Sequence, residues 1–188
     1  MSVPILTFFN NKGGVGTTSL LYRLAWKMSP FGKRIIAVDL DPQANLTSAF
    51  LTEETLETLW SDEGRGDSPT MFTCLQPLTE AGDIKPPRTL DCSPGLHLVP
   101  GDLRLAEFEE LLSKEWLDSL GSSNLYRPFR VLTAFWQVAQ MAAQQHSADL
   151  ILADVGPNLG AINRSALIAS DFLVIPRAAD LFSLQGVG

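Results

Sequence analysis

The 188-residue chain is short of positive charge, of histidine and of paired cysteine. It has 14 lysines and arginines against 21 acidic residues, a formal net charge of −7. That balance excludes a domain drawn as a whole to nucleic acid, because phosphate binding needs clustered cations. The close basic pairs Lys33/Arg34, Arg127/Arg130 and Arg23/Lys27 each read as a solvated helix or turn face. The two cysteines, Cys74 and Cys92, are neither closely paired nor at metal-ligand spacing, which excludes a disulfide framework and fits a reducing cytoplasm. No apolar run is long enough to cross a bilayer. The N-terminal stretch MSVPILTFFNNK lacks a basic n-region and a small-residue cleavage site, so it reads as a buried strand rather than a signal peptide.

What is present is an ordinary globular composition, 45% hydrophobic and 19% charged, in a length that suits one domain. Val3 to Phe9 is a short, partly β-branched apolar run and predicts a strand. From Thr17, Leu20, Leu21, Leu24, Ala25 and Met28 recur at helical spacing until Ser29, Pro30 and Gly32 stop the helix. Further strands are expected at Arg34 to Leu40, Leu96 to Val99, Asp149 to Asp154 and Phe172 to Ile175. Helices are expected at Leu46 to Leu51, Glu53 to Trp60, Asp102 to Leu120, Pro128 to Gln145 and Ala161 to Ala169. Residues 61 to 95, rich in Gly, Pro, Ser and Asp, read as a loop excursion with a helical piece at Met71 to Leu75. Solid apolar strands alternating with helices predict an α/β fold: a doubly wound, mostly parallel sheet covered on both faces.

Between the first strand and helix lies Lys12-Gly13-Gly14-Val15-Gly16-Thr17-Thr18. Glycines let a backbone approach a polyphosphate with its N–H groups inward, and the following helix adds the positive end of its dipole. Thr18 stands where a hydroxyl would ligate Mg²⁺. The general G-x-x-x-x-G-K-[ST] pattern is not satisfied: its first glycine is missing, and Thr17 occupies the lysine position. By itself the segment also fits a plain glycine-rich turn.

Carboxylates cluster at predicted strand ends, Asp39 and Asp41 after the second strand and Asp154 at the end of ILAD. The carboxyl ends of parallel strands face the ligand crevice. Acids there, near a phosphate loop, suit Mg²⁺ organisation and water positioning, although Asp41-Pro42 alone also reads as a turn opener.

Asn11-Lys12-Gly13-Gly14-Val15-Gly16, ending in Thr18, resembles the deviant Walker A box of the ParA/MinD ATPases. Asp39 to Thr47 resembles that family's D-x-D-P-Q-[GA]-N-x-T segment, and Asp154 to Gly160 its D-x-x-P-x-L-G segment. Val174-Ile175-Pro176 and Asp180 to Gly186 resemble the next strand and helix start. Leu98-Val99-Pro100-Gly101 with Phe108-Glu109 and Leu112 matches a weaker pattern. The resemblance implies a P-loop NTPase fold that binds ATP and Mg²⁺ through Asn11, Lys12, Gly13, Gly14, Val15, Gly16, Thr17 and Thr18. It gives Thr18, Asp39 and Asp154 to the metal and makes Asp41 the residue that orients or activates the attacking water. It makes Lys12 the signature lysine that reaches across a nucleotide-sandwich homodimer.

The same resemblance implies a cytoplasmic partition or cargo-positioning ATPase, nucleoid-associated if DNA binding is retained. Its partner would be a ParB-like or cargo-adaptor protein, without a membrane, and any non-specific DNA surface would lie outside this chain. The chain is expected to be a single P-loop domain over residues 1–188, lacking the family's usual C-terminal strand and helices. Thr17 departs from the family, since the missing ammonium would lie against the β- and γ-phosphates. Weak binding and slow turnover are therefore expected. The alternative is a degenerate, non-hydrolysing binding module of the same fold.

Overall fold

The computed structural model describes residues 2–61, 68–80, 82–121 and 123–176. A six-stranded sheet forms its centre, in the order β3-β4-β2-β5-β1-β6. β1 (Ile5–Phe8), β2 (Ile35–Asp39), β4 (Leu96–Val99), β5 (Leu150–Asp154) and β6 (Phe172–Val174) run parallel, and β3 (Leu90–Ser93) is antiparallel to β4. β2 is buried along its whole length and β5 is buried from Ile151 on, which is why both read as solid apolar runs rather than alternating ones.

Each face has its own core. On one side Leu21 and Ala25 of α1 (Thr17–Met28) and Leu46 of α2 (Asn45–Phe50) pack on Phe8, Ile35, Ala37, Leu96, Leu98 and Leu152. α3 (Glu53–Trp60) follows α2 and is capped by Thr52, whose hydroxyl accepts from Thr55 N–H. On the other side α4 (Met71–Leu75), α5 (Leu105–Gly121), α7 (Ala134–Gln145) and α8 (Ala161–Ile168) cover Ile36, Val38, Ile151 and Ala153. Helices on both faces of a mostly parallel sheet make the doubly wound architecture, and β1 lies between the strands reached by opposite crossovers.

Three sequence expectations need correction. Residues 61–95 contain β3, which pairs with β4 across Pro94-Gly95. It lies on the sheet edge with half-exposed, partly polar residues, so it lacks the apolar run that marks the other strands. The helix expected from Pro128 to Gln145 is two, α6 (Tyr126–Leu132) and α7. Thr133 separates them, its hydroxyl donating back to the Phe129 carbonyl at 2.7 Å and accepting from Gln137 at 2.8 Å, a bond that bends helices. Leu20, one of the apolar residues at helical spacing, is 44% exposed, and the helix expected from Asp102 starts at Leu105, which leaves Leu103 before it and 60% exposed. Of the basic pairs, Arg34, Arg127 and Arg130 are ion-paired, whereas Arg23 and Lys27 are exposed. Arg34 pairs with Asp149 and Arg130 with Asp83, while Arg127 meets buried Glu115 at 2.7 Å. The Cys74 and Cys92 thiols are free, and burial pushes them up to about 11 and about 12, as unreactive thiols should be.

The chain's two histidines stack. His97 on β4 lies 3.7 Å from His146, the C-cap of α7, ring centre to ring centre. His97 Nδ1 is 2.6 Å from Asp91, and His146 Nε2 is 2.7 Å from Thr89. Burial first, then the adjacent His97, lowers the His146 pKa, against a smaller opposing pull from Asp91. A histidine whose folded pKa lies below its unfolded value favours the fold above the unfolded pKa, about 6.5, and loses that contribution as pH falls. Melting curves at pH 8 and pH 5 should therefore show a larger acid-side loss in the wild type than in His146→Gln. Equal losses would remove His146 as the cause.

Candidate functional site

The loop after β1 is fixed near its start by Asn10. Asn10, buried at the strand end, donates through its side-chain amide to the Pro176 carbonyl after β6 and accepts from Lys12 N–H at 2.8 Å. The loop ends at Gly16, whose φ of +83° is a left-handed value that a side chain would strain. Gly16 caps α1 without a side-chain hydrogen bond, and no acidic residue occupies the helix's first turn. The first N–H groups of α1 are thereby left for an anion.

Asp39 and Asp154 end adjacent strands and are register partners. Asp39 is fully buried. One oxygen accepts from Thr47 N–H at 2.8 Å and the Thr47 hydroxyl at 2.7 Å, and the other from Asp41 N–H at 3.2 Å. The Thr47 hydroxyl in turn accepts from Gly101 N–H at 2.7 Å. A Cβ at Gly101 would lie 2.9 Å from the Asp39 carboxyl carbon, so only glycine lets the β4 end close over this network. Burial raises Asp39 to about 6 despite its donors. Asp39, expected beside the metal, has both oxygens hydrogen-bonded and anchors the start of α2 next to Asp154.

Asp154 is differently placed. Thr18 Oγ1 donates to its Oδ2 at 2.6 Å, while buried Oδ1 has no hydrogen-bond partner among the described residues. Burial raises its pKa to about 8, the Thr18 bond lowers it, and Asp39 and Asp41 add repulsion. An orphaned buried carboxylate oxygen beside a threonine hydroxyl, beneath a phosphate-type loop, fits the outer shell of a hydrated Mg²⁺.

Above these acids opens a cleft of about 750 Å³. Lys12, Gly13, Gly14, Gly16, Thr17 and Thr18 line it from the loop, Asp41 from the β2 end and Val155 and Pro157 from the β5 end. Asp41 accepts from Gln43 N–H at 3.0 Å. Asn11 and Val15 belong to the loop but do not line the cleft, and Asp39 and Asp154 lie below its surface. The loop after β5 is held by Asn163, whose amide donates to the Gly156 and Asn158 carbonyls, and by Glu109 of α5, which accepts from Ala161 and Ile162 N–H at the start of α8. Sequence reasoning missed Asn10, Asn163 and Glu109 as anchors. Their signals were a polar residue ending an apolar strand and polar residues within helical patterns. It also missed Tyr22 and Arg23, which line the cleft from α1. The Asp180 to Gly186 segment lies outside the described residues.

This combination of parallel sheet, phosphate-type loop and acids at the carboxyl edge defines a P-loop nucleotide-binding domain. A family profile described as an AAA domain matches residues 3–188. The chromosome-partitioning ATPase Soj of Thermus thermophilus is 29% identical over 178 residues, 95% of this chain and 56% of its own. The crystal structure of protein DIP2308 from Corynebacterium diphtheriae is 34% identical with a TM-score of 0.86, covering 98% of this chain and 62% of that one. A plasmid partition protein from Borrelia burgdorferi bound to AMPPNP shares the fold at 23% identity and a TM-score of 0.68, over 100% of this chain and 68% of its own. The chain belongs to the ParA/MinD family of partition ATPases. It spans about half the length of the curated relatives it matches.

Asp154→Asn should separate the metal role from the structural one. The amide keeps the size and the Thr18 contact but removes an acid whose pKa burial raises to about 8, so that folding at neutral pH no longer has to protonate it. Without metal or nucleotide the variant should melt about 3 °C higher, on the order of 1 kcal/mol for a chain of this size. It should also lose any stabilisation added by Mg²⁺ with ATP. A variant that melts lower alone, and gains as much from Mg-ATP as the wild type, would refute both halves.

Proposed function

We propose that this chain is the nucleotide-binding part of a ParA-type ATPase that binds Mg-ATP weakly and forms a nucleotide-sandwich dimer for partition of DNA or positioning of a large cargo. The observation that carries the reading is the unpartnered Oδ1 of buried Asp154 beside the Thr18 hydroxyl, directly under the glycine loop. Thr18 donates to only one oxygen of this carboxylate, and an external cation would compensate the other.

In this reading the loop N–H groups from Gly13 to Thr18 cradle the phosphates, and Thr18 and Asp154 hold Mg²⁺, with Asp39 bracing them from the next strand. Mg²⁺, when bound, supplies charge neutralisation at the β- and γ-phosphates. Asp41, at the cleft wall and fixed by Gln43 N–H, orients the attacking water. Lys12, exposed on the loop, serves the partner's nucleotide. Thr17 keeps the helix start but brings no charge, so phosphate affinity and transition-state stabilisation both fall. A ParB-like or adaptor protein is the partner. Non-specific DNA binding belongs to surface outside this chain, since Arg34, Arg127 and Arg130 are each paired with an acid. Among the described residues no helix is long and apolar enough to cross a membrane. Exposed Phe172 and Leu173 on β6 support a further segment of a longer protein covering that edge. The cellular site proposed is the cytoplasm, at the nucleoid where DNA is bound.

Thr17 also favours a second reading, in which the fold binds nucleotide but no longer turns it over. Phosphate release measured with DNA and a partner protein present separates the two: turnover above background supports the enzyme, and its absence supports the binding module. Calorimetric titration should give Thr17→Lys an affinity for Mg-ATP about two decades above the wild type's, and equal affinities would end the claim that the missing charge weakens the site. Lys12→Ala should abolish ATP-dependent dimers in light scattering, and dimers that persist would remove its role across the interface.

A further inference from the structure

We propose that Arg23 supplies the positive charge that Thr17 withholds, contacting the polyphosphate of a nucleotide bound in the cleft of its own chain. The proposal rests on the nucleotide reading above. Of the described residues that line the cleft, only Lys12 and Arg23 carry positive charge. Most other described arginines are committed elsewhere: Arg34, Arg104, Arg127 and Arg130 to acids and Arg164 to the Trp116 ring at 4.8 Å. Arg23 is exposed and makes no hydrogen bond or ion pair to a described residue.

Its place on α1 suits the task. Ser19, Tyr22 and Arg23 all line the cleft, the i, i+3, i+4 stripe of one helix face. Tyr22 is braced by Phe50 at 4.9 Å and Trp26 at 6.2 Å between ring centres, so this flank of the helix is a firm wall. Arg23 stands one turn beyond Ser19, about 6 Å along the axis. Long helical side chains lean back toward the N-terminus, which carries the guanidinium toward Ser19 and the loop where phosphates would lie. A guanidinium offers five donors in a planar fork and stays charged, which matches phosphate oxygens. Among the described residues Asp41 is the one acid lining the same cleft, and it already accepts Gln43 N–H.

A double-mutant cycle tests this. Mg-ATP and AMP are titrated into the wild-type chain, Arg23→Gln, Arg23→Lys, Thr17→Lys and the Thr17→Lys/Arg23→Gln pair, with melting curves as the folding control. Arg23→Gln should weaken Mg-ATP binding about tenfold while leaving AMP unchanged, and Arg23→Lys should retain part of the affinity. In the Thr17→Lys background the loss should largely vanish, because two cations serving the same phosphates are not additive. Three results would overturn the proposal while leaving the nucleotide site standing: no loss on Arg23→Gln, the same loss in both backgrounds, or binding only after Thr17→Lys. Absence of Mg-ATP binding by both the wild type and Thr17→Lys would instead overturn the nucleotide reading itself.

Discussion

Two carboxylates buried side by side constrain the whole carboxyl edge of the sheet. Asp39 and Asp154 end neighbouring parallel strands in register, where desolvation opposes their charged forms. Asp39 is the more deeply buried, yet its pKa rises only to about 6, whereas that of Asp154 rises to about 8. The difference follows from donors. Asp39 accepts three hydrogen bonds, from Thr47 twice and from Asp41, while Asp154 accepts one, from Thr18. Each acid thereby fixes one helix start: Asp39 holds Thr47 of α2, and Asp154 holds Thr18 of α1.

The loops around that edge are secured from outside themselves. Asn10 ties the glycine loop to the end of β6, the Thr47 hydroxyl ties Gly101 after β4, and Glu109 and Asn163 hold the loop after β5. Glu109 does so by accepting two N–H groups at the start of α8, where a carboxylate also meets the favourable end of the helix dipole. Loops that carry binding groups need such support, because a small displacement of a phosphate donor costs much of its interaction. The cleft is therefore a preorganised one, and among the described residues that line it Lys12 and Arg23 bring the positive charge.

How far this was legible in the sequence depended on whether the signal was local. β2 and β5 are central strands, apolar on both faces, and RIIAVDL and LILAD announce them. The start of α1 at Thr17 and the exact span of α3 follow from punctuation by Gly16 and by Thr52 with Glu53 and Glu54. β3 was invisible because an edge strand needs no apolar run, and the α6–α7 bend because it depends on one hydroxyl choosing a backbone carbonyl. Lys12, Thr17, Thr18 and Asp41 are brought to one cleft as their motifs implied. Asp39 is an anchor below it, a fact that sequence could not hold because Thr47 and Gly101 reach it through tertiary contact. Arg23 carries no motif; only the helix face shared with Ser19 and Tyr22 places it at the cleft.

The charge balance of the site bears on whether Thr17 marks decay or adjustment. A site that had merely lost its ligand would keep the full penalty of the Asp39 and Asp154 pair with nothing to offset it, since a buried carboxylate with an unpaired oxygen weighs against every folded molecule. Replacing Asp154 by a neutral amide would relieve that penalty in one step, yet the acid stands with its orphan oxygen beside Thr18. Under the proposed reading, a cation arriving there would offset that penalty, which would couple metal binding to the folding of this edge. Thr17 removes one positive charge from the phosphate side of the cleft without touching that coupling. The acids are the feature that a merely structural domain would shed first, and their presence supports the proposed reading of a metal-nucleotide site, in which the anion would be held more loosely than a lysine at position 17 would hold it.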